Sequence, residues 1–305
     1  MDKVAIELLS DRAQNPAFVY ISGLASPISR RTMSSALGVI ARKLGAPNAF
    51  EFDWSRLRYA DLAAIQTWLA STHSVTATRR YVSACRGCLK ASWRLGMIGT
   101  DDYLRTIDLP PVHGNSKLGH RATDEELVQI YATCQSDSNR DTRDLSILKL
   151  MFGLGLRVGE VTILQLADYN RNSGELQIFG KGRKHRDVFL CGSIRAAMED
   201  WLSCRGLHTG ALYEVIGWDD EIYHRPMAST ISIWEVFDKR CRRASLDRRL
   251  SPHDARRTAI SNMLNLADAL TCAKLVGHSN PGITLHYDLR GDTEKLAACE
   301  KVGAR

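Results

Sequence analysis

The stretch "SPHDARRTAISNML" gathers an imidazole and two guanidiniums at what reads as the start of a helix. Ser251 is a capping residue type, Pro252 suits the first helical position, and His253 and Arg256 then share one face at i and i+3. Such a helix start carries partial positive charge and unpaired N–H groups, which suits an anion, phosphate above all. Arg257 lies close by at i+4 from His253. In "GLGLRVGE", Arg157 follows an apolar run and a glycine-assisted break, tethered to the core yet able to leave it. Lys181, in "FGKGRK", stands between two glycines, where a backbone can approach a ligand closely. Near the end, "LVGHSNPGITLHYDLRG" offers an imidazole, His278, and a phenol, Tyr287. Each has a plain structural reading: a hydrogen-bonded helix start, a local Arg157–Glu160 ion pair, turn chemistry, a packed tyrosine ring.

The elements that must position these residues are mostly helical. Ser26 and Pro27 open a helix in which Met33, Leu37, Ile40 and Leu44 keep helical spacing. "DLAAIQTWLAS" reads as a second helix and "VTATRRYVSACRGCLKASWRLGMI" as a third. The third has Tyr81, Cys85, Cys88 and Trp93 for packing. Arg79, Arg80, Arg86 and Lys90 lie largely on another side, as a solvated face or as a helix along DNA. "LPPVHGNSKLGHRAT" reads as an inter-domain linker, residues 111–122, after a helical domain of residues 1–110. Thr123 and Glu126 form a capping box that opens a second domain, 123–305. Two helices run to about Leu154, and "LRVGEVTILQL" continues helical. In "GELQIFGKGRKHRDVFL", Leu176, Ile178, Val188 and Leu190 alternate with polar neighbours, which predicts a β-hairpin with a basic turn. Helices are expected from there on, at about 193–205, 229–246, 252–265, 268–276 and 293–302. The fold class is mainly α with a small β-sheet.

Composition agrees with a globular protein of two domains: 305 residues, 44% hydrophobic and 25% charged. The formal charge is +7, and it is uneven: residues 1–117 hold 15 Lys and Arg against 9 Asp and Glu, the rest 26 against 25. A basic first third fits phosphate-backbone binding. No apolar run approaches the ~20 residues of a membrane helix, and "MDKVAIELLSDR" does not read as a signal peptide. The eight cysteines are scattered. Cys85 and Cys88 form a lone CxxC, without a second Cys or His pair at zinc spacing, and read as small half-buried residues in a cytoplasmic protein with reduced thiols. No metal site or cofactor is expected: there is no GxxxxGK[ST] loop and no HExxH or EF-hand pattern.

It is the order of the signals that discriminates. Arg157, a hairpin lysine, His-x-x-Arg, Gly-His and a tyrosine nine residues later resemble the tyrosine recombinase (phage integrase) family. The blocks are "GLRVGE", "GKGRKHRDVFL", "PHDARRTA", "LVGHSNPGIT" and "HYDLRG". The resemblance covers the second domain and extends more loosely to the first, which looks like the family's helical core-binding domain. It implies a mixed α/β catalytic domain and a clamp around DNA. By that resemblance Tyr287 is the nucleophile, Arg157 and Arg256 the phosphate-clamping arginines, His253 the general base, Lys181 the general acid, and His278 a donor to a non-bridging oxygen. Arg79, Arg80, Arg86, Lys90, Arg183 and Lys184 are candidate DNA contacts. Arg257 departs from the commoner pattern, in which a histidine follows the second arginine.

The resemblance further implies a partner, double-stranded DNA with an inverted-repeat core site, and a homotetramer on it from a free monomer or weak oligomer. It leaves room for accessory proteins and for a bacterial cytoplasmic setting. "HYDLRG" leans towards integrases of mobile elements, for integration, excision or resolution. The segment 291–305, with Leu296, Cys299 and Val302 as an apolar stripe, is expected to serve oligomerisation. Two other readings stay open: a type IB topoisomerase activity, and a non-catalytic DNA-binding regulator that keeps the fold.

Overall fold

The computed structural model describes residues 14–114, 119–180, 185–278, 280–285, 287, 299, 300 and 302. The chain divides into two compact units, Met1–Leu118 and Gly119–Arg305, a division that falls inside the 111–122 stretch. Both are mostly helical, and among the described residues no helix is long and apolar enough to cross a membrane.

The first unit holds α1 (Pro16–Ser22), α2 (Pro27–Lys43), α3 (Tyr59–Thr72), α4 (Val75–Arg94) and α5 (Thr100–Ile107). The sequence reading missed α1. It is short, but Asn15 caps it by accepting from the N–H groups of Ala17 and Phe18, and Pro16 fits its first turn. Ser26 occupies the cap position of α2, yet its hydroxyl makes no capping bond. The long α4 sits centrally: Val82, Cys85, Cys88 and Leu89 are buried with Leu37, Ile40, Leu62 and Leu69. Cys85 and Cys88 are therefore fully rather than half buried, and burial pushes the Cys85 thiol up to about 12, leaving it inert.

The second unit runs α6 (Asp124–Ala132), α7 (Asn139–Gly153), α8 (Val158–Ile163), β1 (Tyr169–Asn170), β2 (Glu175–Phe179), β3 (His185–Phe189) and α9 (Gly192–Arg205). It continues with β4 (Glu214–Ile216), β5 (Ile222–Pro226), α10 (Thr230–Arg243), α11 (Pro252–Leu264), α12 (Ala269–Val276) and α13 (Pro281–Leu285). Thr123 and Glu126 form the capping box read from the sequence. α7 is the core helix, with Ile147, Leu148, Leu150, Met151 and Phe152 buried. Three of its charged residues, Asp141, Arg143 and Asp144, are buried too, and Arg240 of α10 donates to Asp144 and Asp141, at 2.8 and 2.6 Å. Each fully buried aliphatic side chain contributes about 1.5–3 kcal/mol.

β1, β2 and β3 form an antiparallel sheet in that order. In the β2–β3 register Leu176 faces Val188 and Ile178 faces Arg186. Arg186 thus stands on the apolar side of the hairpin, where a charge needs a partner. The β4–β5 hairpin fills the stretch between the expected helices at 193–205 and 229–246, which the sequence left unassigned. Its second strand, "IYHRP", exposes most of its residues, so it shows no alternation of apolar and polar positions.

Candidate active site

Arg157 caps α8, and its backbone N–H donates to Glu160 Oε2 at 2.9 Å while its Nη1 donates to Oε1 at 2.7 Å. Glu160 is only 4% exposed. Arg186, from the inner face of β3, reaches the same carboxylate with both terminal nitrogens, at 3.0 and 2.9 Å, and gives its Nε–H to the Leu275 carbonyl. A single carboxylate thereby ties α8, β3 and the end of α12 together. Burial acts to raise the Glu160 carboxyl, but the hydrogen bonds and charge of Arg186, and then Arg157, outweigh it and hold it below the usual carboxylate range.

Arg256 is almost wholly buried on α11. Its terminal nitrogens donate to the carbonyls of Gly155 and Val276. Both carbonyls border left-handed glycines, Gly155 itself and Gly277, each with φ +68°. A Cβ on Gly155 would come 3.3 Å from that of Ala259, and one on Gly277 3.0 Å from Nη1 of Arg186, so a side chain at either turn would crowd its neighbour as well as strain the backbone. Arg256 Nε has no partner among the described residues. Burial, and next the charge of Arg157, lower the Arg256 pKa to about 10, which still leaves it a cation at neutral pH.

His253 follows Pro252 on α11, whose start is fixed by the Ser251–Asp254 capping box. Its Nε2 lies 3.2 Å from the phenolic oxygen of Tyr287. Tyr287 packs its ring on Ile260, Leu264, Cys272 and Val276, and its carbonyl accepts from Ser261 Oγ at 2.7 Å. The His278 ring is tilted over the Tyr287 ring, centroids 5.3 Å apart, and its Nδ1 lies 2.9 Å from Thr284 Oγ1. The Arg257 guanidinium lies 5.1 Å from the centroid of the Tyr287 ring. Burial, followed by Arg257 and Arg256, depresses the His253 imidazole; burial, followed by Arg256 and Arg157, pushes His278 down to about 4. Both rings are therefore neutral at physiological pH, the state in which an imidazole can accept a proton.

Two cavities flank Arg157. One, of about 570 Å³, is lined by Arg157, His253 and Arg256 with Thr230, Ile231 and Trp234. The other, of about 950 Å³, is lined by Arg157, Glu160, Arg186 and His278 with Phe179 and Gly180 of the hairpin. Five of the six residues singled out from sequence thus converge: Arg157, His253, Arg256, His278 and Tyr287. Lys181, with Arg183 and Lys184, lies outside the described residues. Sequence reasoning missed Arg186, whose only signal was a cation at an apolar register position of the hairpin. In the first unit Arg80 and Lys90 are exposed on α4, whereas Arg79 donates to the carbonyls of Val112 and Gly114, and Arg86 to that of Leu109. Arg79 and Arg86 thus hold the chain that follows α5. Of the C-terminal stripe, Leu296 lies outside the described residues, and Cys299 and Val302 are exposed.

The arrangement can hold an anion between guanidiniums and take a proton from a phenol beside it. A sequence profile of the Phage integrase family matches residues 120–292. Tyrosine recombinase XerC of Histophilus somni is 32% identical over 176 residues, 56% of this chain and 57% of that protein, so the match spans little more than half of this relative. XerC of Staphylococcus carnosus is 26% identical over 248 residues, covering 79% and 81%. In fold, the chain is similar to lambda integrase solved as a dimer bound to a COC' core site, with TM-score 0.70, 14% identity and coverage of 93% and 96%. It is likewise similar to that integrase solved as a tetramer bound to a Holliday junction, with TM-score 0.69, 13% identity and coverage of 90% and 76%.

Proposed function

The chain belongs to the phage integrase family, and from that premise we propose that it is a site-specific DNA recombinase that cuts and rejoins strands through a 3′-phosphotyrosyl intermediate. The observation that carries the reading is the 3.2 Å contact between the Tyr287 phenol and His253 Nε2, beside two arginines. A phenol is a weak nucleophile until a base takes its proton. His253, kept neutral by burial and by neighbouring cations, takes it as the oxygen attacks phosphorus. Negative charge then grows on the non-bridging oxygens, where Arg157 and Arg256 donate, and His278 adds a further donor. Fixed donors of this kind are worth ~3–4 kcal/mol each in other enzymes. Lys181 gives a proton to the departing 5′ oxygen.

The covalent product stores the energy of the broken bond, and a 5′ hydroxyl of another strand reverses the step. The chemistry of these residues therefore asks for neither ATP nor a metal ion. The partner in this reading is duplex DNA carrying inverted repeats, contacted also by Arg80 and Lys90 of α4 and by Arg183 and Lys184. Four protomers bring two such duplexes together, through the segment 291–305, with or without accessory proteins, to integrate, excise or resolve a mobile element. The test is a nicked suicide substrate built from the inverted repeats that flank the gene. The intact chain should become covalently attached in the presence of a chelator, and Tyr287→Phe should bind that DNA without attaching. Attachment that survives Tyr287→Phe overturns the assignment. Site-independent relaxation of supercoiled plasmid by monomers would point to a type IB topoisomerase instead.

A further inference from the structure

Outside the Tyr287 site, two imidazoles close on one buried carboxylate. His208 Nε2 lies 2.8 Å from Glu214 Oε1, and His224 Nδ1 lies 3.1 Å from Oε2. The two rings meet edge to face with centroids 4.5 Å apart, and the three ligand-type atoms all lie within 4.8 Å of one another. They come from three places: the loop after α9, the first residue of β4, and the middle of β5. Each is fixed independently. Arg205, fully buried, donates to the carbonyls of Gly206, His208 and Ala211 and so shapes the loop that carries His208. The Glu214 carbonyl is held by Arg143, and its side chain is 3% exposed. His224 sits at φ +46°, a left-handed conformation uncommon for a residue with a Cβ, and held strain of this kind is a pointer to function.

We propose that His208, Glu214 and His224 form a zinc site that staples the loop after α9 to the β4–β5 hairpin. Two imidazoles and a carboxylate are a zinc donor set, with a fourth position left for water. Around a tetrahedral ion with bonds of about 2.0–2.1 Å, ligand atoms stand about 3.3 Å apart. The His208 and Glu214 atoms thus need to part by a few tenths of an ångström and the widest pair to close by up to about 1.5 Å, and the two imidazole side chains, 40% and 62% exposed, have the room. Each ring nitrogen that now gives its hydrogen to the carboxylate must shift that proton to its other nitrogen, which costs no net proton. Arg205 Nη2, 3.3 Å from Glu214 Oε1, occupies one lone pair and leaves the other for the ion, an outer partner that orients the ligand. The guanidinium also repels a cation, so the site is weaker than one built from thiolates. Stapling acts on the hairpin that leads into α10, whose first residues line the 570 Å³ cavity. None of this depends on the strand-transfer reading.

The experiment uses the tag-free full chain, stripped with a chelator and dialysed, then titrated with Zn²⁺ by calorimetry and with Co²⁺ by visible absorption. One Zn²⁺ per chain is expected, with a raised melting temperature, and both effects should vanish in His208→Gln and in His224→Gln. Because both imidazoles reach solvent, these variants should melt as the stripped wild type does, which separates loss of the site from loss of the fold. Cys191, Cys204 and Cys299 are exposed, so thiols are the competing ligands. The Co²⁺ spectrum should accordingly lack thiolate charge-transfer bands. Absence of stoichiometric uptake by the wild type, equal uptake by both variants, or a thiolate band would each overturn the proposal.

Discussion

Replacing Glu160 by Gln keeps the shape of the side chain and removes the charge that Arg157 and Arg186 share. The carboxylate accepts four hydrogen bonds, of 2.7 to 3.0 Å, from those two residues. Arg186 is 10% exposed in its side chain and Glu160 5%, so that pair counts as buried, and removing one member of a buried pair costs about 3–5 kcal/mol. Arg157 is 47% exposed in its side chain, and solvent screening limits its share to at most ~1 kcal/mol. Gln returns part of this through its remaining carbonyl oxygen, so a net loss of about 3 kcal/mol is expected. The sign against pH follows from the depressed Glu160 pKa. The stabilisation is complete above the ordinary carboxylate range and disappears as pH falls through the lower folded value. The gap between wild type and Glu160→Gln should therefore be widest near neutrality and close in acid. Urea unfolding scored by amide hydrogen exchange reads the two units separately. A neutral-pH loss below about 1 kcal/mol, or additive effects of Glu160→Gln and Arg186→Gln in a double-mutant cycle, would refute the reasoning.

Other outcomes follow from the same geometry. If the proposed reaction holds, Arg256→Ala should slow adduct formation roughly 10²–10³-fold under single-turnover conditions, because it would remove a fixed donor at the phosphate; a loss under tenfold would place Arg256 outside the reaction. The rate should hold across neutral pH and fall on the acid side only below the usual imidazole range, because burial, Arg257 and Arg256 keep His253 unprotonated. Arg257→Gln removes one of those cations, so its acid limb should move to higher pH, and an unmoved limb would separate Arg257 from His253.

The candidate cluster was legible because its members sit at element borders that the sequence marks. Ser251-Pro252 announces the start of α11, and the glycines at 155 and 277 announce the ends beside Arg157 and His278. Helical spacing then fixes which face His253 and Arg256 share. What lay hidden depends on pairing across distance. Glu160 read as a weak local partner of Arg157, because nothing in "GLRVGE" shows that β3 brings Arg186 onto the same carboxylate. The His208–Glu214–His224 cluster follows no spacing rule, since a loop and a hairpin bring it together. The β4–β5 hairpin escaped notice because β5 is mostly exposed on both faces. Cys85 and Cys88 were underrated as core because a CxxC draws attention to metals before packing.

Ser261 grips the main chain at Tyr287 while His253 meets its hydroxyl, all within one polypeptide. Under the proposed strand cutting, two crippled versions, one lacking the phenol and the other lacking the Arg256 guanidinium, should accordingly fail to rescue each other when mixed. Cutting in such a mixture would be zero, whereas blending either version with wild type would leave cutting in proportion to the intact chains.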